Sequence, residues 1–334
     1  MARRPRCIQP DHLYEVTLAT FQSRYFFVPS RLLNLLIVGV LAYSQAEYGL
    51  RICFAVFLSN HGHLLIRADS AQQVADFLCL SKSQIAKEVQ RLCGWTGGIF
   101  EEHCDITPVT DEPEAQIARL RYLIAQGLKE GLVPHPSKWP GVHAVKALLT
   151  GALRMRGIWV RRSEMYEVNR SRRRARSPRA RRRQVNPKNF EDMMVLELSP
   201  LPCWDDLEPK EIARRTREIV QDLLVEYAEQ RRQVRRDYRR QLTDRSQFCR
   251  RPQSTPRSER PRVHAATLEE WKRWVDELES WTARYRAASA RLRQGILEAI
   301  EEFPENAFVP TGLYRRQSHG RPPPIPIAQK GSGG

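Results

Sequence analysis

Two histidines one residue apart lie in Asn60-His61-Gly62-His63-Leu64-Leu65-Ile66. Side chains alternate between faces on a strand, so both imidazoles would project from one side and could hold a single divalent cation. The apolar Leu64-Leu65-Ile66 that follows would anchor such a strand in a core. Alone, the pair is better explained by two structural histidines. A second segment, RLRYLIAQGLKEGLV over 119–133, adds a nucleophile. Tyr122 and Gln126 are four apart and would share one face of a helix. A tyrosine hydroxyl can act as a nucleophile, and a glutamine carbonyl oxygen can complete a metal site.

These residues need a scaffold. Residues 11–20 alternate and are rich in β-formers, which predicts a strand. Pro29-Ser30 predicts a helix over 30–48 with Ser30 as its cap. A continuous apolar run at 50–58 and the segment 61–67 read as two strands paired through Ser59-Asn60. A helix follows from Ser70 over 70–93, then a strand or hairpin arm over 98–109. A helix over 112–131 would end at Gly131. A short helix near 143–153 closes the order. The order β-α-β-β-α-β-α predicts an α+β fold, a ferredoxin-like antiparallel sheet with helices on one face.

With order and motifs in place, the chain resembles the single-tyrosine HUH transposases, and among them the REP-associated tyrosine transposases. Their Pro-Asn-His-x-His-Leu-Leu strand corresponds to Ser59-Asn60-His61-Gly62-His63-Leu64-Leu65. Their Arg-Tyr-x-x-x-Asn-Pro-x-x-x-Gly-Leu-Val helix corresponds to Arg121-Tyr122 through Gln126-Gly127 to Gly131-Leu132-Val133, followed by Pro136 and Trp139-Pro140. Ser59 stands where proline is usual and Gln126-Gly127 where Asn-Pro is usual. The resemblance covers roughly residues 8–150 and implies an HUH endonuclease domain. It implies that Tyr122 cuts single-stranded or hairpin DNA, leaving a 5′-phosphotyrosine and a free 3′-hydroxyl that can be rejoined. It implies Mg²⁺ or Mn²⁺ held by His61, His63 and Gln126, with zinc a competitor on ligand type. The phosphotyrosine stores the bond energy, so no nucleotide cofactor is expected, and no Walker-type glycine-rich loop is present. Both a monomer and a homodimer fit the family. Rival readings are a catalytically silent protein that grips DNA hairpins, and a rolling-circle initiator or relaxase-type nickase.

The chain has 334 residues, 41% of them hydrophobic, which supports at least one real core and excludes full disorder. Seven scattered cysteines, never C-x-x-C, argue for a reduced compartment rather than a disulfide scaffold or zinc ribbon. No apolar run is long enough to span a bilayer and no signal-peptide pattern opens the chain, so a cytoplasmic, nucleoid-associated protein without a membrane partner is expected. Charge is uneven. Residues 1–150 hold 15 Lys+Arg and 13 Asp+Glu, whereas 151–334 hold 40 and 25. That asymmetry points to a polyanion.

The chain therefore divides into an HUH domain over 1–150, an Arg-rich connector over 151–205, a long helical hairpin over 206–303 and a Pro-rich tail over 304–334. The closing Gly-Ser-Gly-Gly reads as a cloning scar. The hairpin is suggested by two stripes at helical spacing, one through Ile219, Leu223, Tyr227, Val234 and Tyr238, the other through Trp271, Trp274, Leu278, Trp281 and Tyr285. Nucleic-acid contacts are expected from Arg121 and from the run Arg170, Arg172, Arg173, Arg174, Arg176, Arg179, Arg181, Arg182 and Arg183.

Overall fold

Ser30 and Ser70 each accept the backbone N–H three residues on, Leu33 and Gln73, both at 3.1 Å. These caps start the first two long helices. Gly49 and Gly94, both with positive φ, end them. The computed structural model describes residues 5–174, 185–252 and 261–309. Its first part runs β1 (Leu13–Ala19), α1 (Arg31–Tyr48), β2 (Arg51–Phe57), β3 (His61–Arg67), α2 (Ala71–Cys93), β4 (Asp105–Val109), α3 (Pro113–Ile124) and α4 (Val145–Thr150). The four strands form one antiparallel sheet in the order β2-β3-β1-β4. This is the split-βαβ order expected from the sequence. Strand alternation puts Tyr14, Val16, Leu18, Leu64 and Ile66 on one face, where they enter the main core together with residues of α1 and α2. Glu15, Thr17, His61 and His63 take the opposite face.

Two local expectations shift. The fourth strand begins at Asp105 rather than residue 98, with only an isolated bridge from Phe100 to Thr20 before it. The helix expected over 112–131 stops at Ile124. Apolar spacing continues through Leu128 and Val133, but Gly127 (φ 82°) and Gly131 (φ 64°) turn left-handed and fold the chain back, with Leu132 N bonded to Gly127 O at 2.8 Å.

The second half differs more. The span 151–205 is not only a connector. β5 (Arg154–Val160) and β6 (Glu191–Glu197) pair as an antiparallel ladder that packs on α1. The dock is glycine on glycine: a Cβ built on Gly39 would lie 2.1 Å from Ile158 O, and one built on Gly157 2.1 Å from Gly39 N. Between these strands, α5 (Arg162–Arg174) starts beside α2, where Arg162 pairs with buried Glu88.

The helical hairpin is replaced by separate dockings. α6 (Pro209–Glu226) spends its stripe of Ile212, Ile219, Val220 and Leu223 on α4 and α3. The chain then breaks into two short pieces, α7 (Ala228–Gln233) and α8 (Tyr238–Leu242), so Val234 and Tyr238 do not continue that stripe. α9 (Leu268–Arg293) packs elsewhere. Its Trp274 meets His12 edge-on, and Trp281 Nε1 donates to Glu305 O at 2.9 Å. Just before α9, His264 lies alongside β4, exchanging backbone bonds with Thr110 and Pro108 at 2.9 Å. Among the described residues, no helix is long and apolar enough to cross a membrane.

Candidate functional site

His61 and His63 leave the same face of β3, as their spacing requires. Their ring centroids are 4.9 Å apart and nearly perpendicular. Each ring has its Nδ1 against an oxygen. His63 Nδ1 lies 2.8 Å from Glu15 Oε1, with Thr17 Oγ1 at 3.2 Å; His61 Nδ1 lies 2.8 Å from Asn60 Oδ1. An ionised carboxylate and an amide oxygen only accept, so the protons are assigned to Nδ1. That leaves Nε2 of each ring, and neither has a hydrogen-bond partner among the described residues. Burial, and then the neighbouring His63 imidazole and Lys129 ammonium, push His61 down to about 3. It is neutral at physiological pH, the form that ligates metals.

Glu15 is the centre of this arrangement. It is 3% exposed and receives three side chains. Besides His63, Arg119 brings Nη2 to Oε1 at 2.7 Å, and His264 brings Nε2 to Oε2 at 2.9 Å. Burial alone would raise the carboxyl's pKa. Hydrogen bonds from His264 and His63 and the Arg119 charge hold it far below the usual carboxylate range. An oriented His63 with a carboxylate behind it is the arrangement that raises ligand basicity in metal sites.

Tyr122, on the last turn of α3, comes to this face from above. Its ring is edge-on to His63 at 6.4 Å between centroids, and it is 40% exposed. Two cations lie over the ring: Lys129 Nζ at 3.5 Å and the Arg119 guanidinium at 3.9 Å from the centroid. Burial acts to raise the phenol. Hydrogen bonds with Lys129 and Gln126 and the charges of Lys129 and Arg119 outweigh it, so the phenol is lowered from its ordinary value.

Gln126 is buried in the turn after α3. With its amide O and N assigned to satisfy both neighbours, the oxygen accepts from Lys129 Nζ at 3.1 Å and the nitrogen donates to Glu130 Oε1 at 3.3 Å. The donor set suits a divalent cation on the histidine side: two pre-oriented imidazole nitrogens on one strand face. Gln126 must exchange its contact with Lys129 to join them. Among the described residues, no group of three His, Cys, Asp or Glu could hold a metal ion.

Other expected contacts fall elsewhere. Arg121 is part-exposed and already ion-paired. It points to α6 and pairs with Glu226 at 2.5 Å and Asp222 at 3.5 Å. Helical geometry explains this, because Arg121 and Tyr122 are adjacent and face different sides. Arg170, Arg172, Arg173 and Arg174 end α5, which is anchored to α2 rather than to the loops around Tyr122. Arg176, Arg179, Arg181, Arg182 and Arg183 lie outside the described residues. The sequence reading missed Glu15, Arg119, Lys129 and His264. An acidic residue at a buried strand position was the one available signal for Glu15; nothing local marks His264, 249 residues away.

Among solved structures, the chain is similar to a REP-associated tyrosine transposase bound to a REP hairpin, at 15% identity and a TM-score of 0.34, covering 45% of this chain and 86% of that one. It is also similar to a candidate transposase from Deinococcus radiodurans R1, at 18% identity and a TM-score of 0.27, covering 36% of this chain and 95% of that one. No protein-family model and no curated protein matches the chain by sequence.

Proposed function

We propose that this protein is a transposase-type enzyme that cuts and rejoins single-stranded DNA through Tyr122. The observation that carries the reading is the convergence of a cation-flanked tyrosine on a pair of oriented histidines. The phenol oxygen attacks phosphorus, a P–O bond to the tyrosine forms, and the 3′-oxygen leaves as a free hydroxyl. Return attack by a 3′-hydroxyl reverses these bonds. Lys129 and Arg119 favour the phenolate and so prepare the nucleophile. Glu15 and Asn60 fix the two histidine rings. His61 and His63, with Gln126, would hold Mg²⁺ or Mn²⁺, which when bound would polarise the scissile phosphate. The preference for hairpin-bearing single strands follows from the motif resemblance.

The test is covalent capture. Single-stranded DNA and Mn²⁺ should give a denaturation-resistant adduct that maps to Tyr122 by mass spectrometry. An adduct on another residue, or one undiminished in Tyr122→Phe, refutes the assignment.

A further inference from the structure

We propose that residues 231–251 form a basic track that carries the single strand to Tyr122. The proposal rests on the reading of the site as one that acts on single-stranded DNA. This stretch holds nine arginines against two carboxylates, Asp237 and Asp244. All nine arginines are exposed. Among the described residues one of them, Arg235, is ion-paired, with Asp237 at 3.2 Å. In the flanking long helices more of the arginines are matched. Arg214 and Arg215 pair with Glu211, Arg273 with Glu270, and Arg291 with Glu302. A guanidinium already matched to a carboxylate must give up that bond to meet a phosphate. Among the described residues of the second half, 231–251 is thus the stretch with the densest run of exposed arginines and few carboxylates.

The track is pinned to three loops that belong to the site. At its start, Arg231 Nε donates to Pro134 O at 3.1 Å, just past the turn that holds Gln126 and Lys129. In the middle, Tyr238 and Leu242 pack on Leu58, Val133 and Trp139, and Leu58 directly precedes the Ser59-Asn60 turn into His61. At its end, Cys249 N donates to Tyr25 O at 3.1 Å and Tyr25 N to Arg250 O at 2.9 Å. That fastens it to the segment after β1, whose Thr20 is bonded to Asn60. The track thus follows the end of the sheet where His61 and the Tyr122 loop meet. Tyr238 is spent on packing rather than offered for base stacking. The grip is through phosphates and is indifferent to base sequence. Each phosphate neutralised on a single strand contributes about −0.7 to the slope of log K against log salt.

The test uses the full chain and fluorescein-labelled oligothymidylate, titrated by anisotropy at several salt concentrations. Changing Arg232, Arg235, Arg236, Arg239 and Arg240 together to Gln should flatten the slope by about 3 and weaken binding at physiological salt by at least about tenfold. These side chains are exposed, so the thermal midpoint should not move. Changing Arg170, Arg172, Arg173 and Arg174 to Gln should flatten the slope by less than about 1. An unchanged slope in the first variant, or a larger loss in the second, overturns the track while leaving the DNA reading intact. Tighter, equally track-dependent binding of oligouridylate overturns the assignment to DNA. Failure of the wild-type chain to bind oligothymidylate overturns the DNA reading itself, and the track with it.

Discussion

Replacing Glu15 by Gln keeps the shape of the side chain and removes one charge. The carboxylate is almost wholly buried and accepts from His63, Arg119 and His264 at 2.7–2.9 Å. A glutamine would turn an N–H₂ group toward donors and leave the Arg119 guanidinium uncompensated. Removing one partner of a buried pair costs about 3–5 kcal/mol. Arg119 retains 14% exposure, and some hydration softens the loss to about 2–3 kcal/mol. For a large chain, roughly 2–4 °C per kcal/mol applies, so the thermal midpoint should fall by about 5–10 °C. The Nδ1–H of His63 would also lose its anchor, which should weaken Mn²⁺ binding by about 10–100-fold. Differential scanning fluorimetry reads the first effect and isothermal titration calorimetry the second. The pH dependence has a definite sign. A carboxyl held below its ordinary value of 4.5 stabilises the fold above that pH and loses its contribution as pH falls toward the depressed value. Wild type and Glu15→Gln should therefore converge in strong acid. A midpoint within about 2 °C of wild type, together with unchanged Mn²⁺ affinity, would refute the role given to Glu15.

His61→Ala and His63→Ala should each abolish adduct formation while leaving oligothymidylate affinity within about threefold, since phosphate contacts supply most affinity; wild-type cleavage in either variant would contradict the metal site. Lys129→Met removes a charge that lowers the Tyr122 phenol, so the pH midpoint of adduct formation should move upward, and an unmoved pH–rate profile would exclude Lys129 from activating the nucleophile. Gly39→Ala places a Cβ against the Ile158 carbonyl and should cost at least about 1–3 kcal/mol, seen as faster hydrogen exchange across 154–160 and 191–197; unchanged protection there would mean that the strand pair is held by other contacts.

Much of the first domain was legible because its signals are local. Ser30 and Ser70 cap where a side-chain oxygen can reach an N–H three residues on. The single-residue spacing of His61 and His63 forces a shared strand face, whatever surrounds them. The strand–helix alternation sufficed for the sheet order, because short connections and antiparallel pairing leave few arrangements. Local signals failed where the outcome depends on what approaches from far away. Apolar spacing carried the helix of Tyr122 through to Gly131, but the left-handed turn at Gly127 ends it early and brings Lys129 back over the ring. The stripe on α6 is a true helical stripe, yet nothing in it says that α3 and α4, rather than α9, will cover it. The close approach of Gly39 to Gly157 depends on two glycines more than a hundred residues apart. Glu15 shows the same limit from the side of charge. The sequence marks an acid on a strand, and only tertiary packing brings Arg119 and His264 to it. Net charge likewise counts arginines without their partners. Which of them face carboxylates, and which stay open along 231–251, is settled by distances of a few ångströms that chain spacing does not encode.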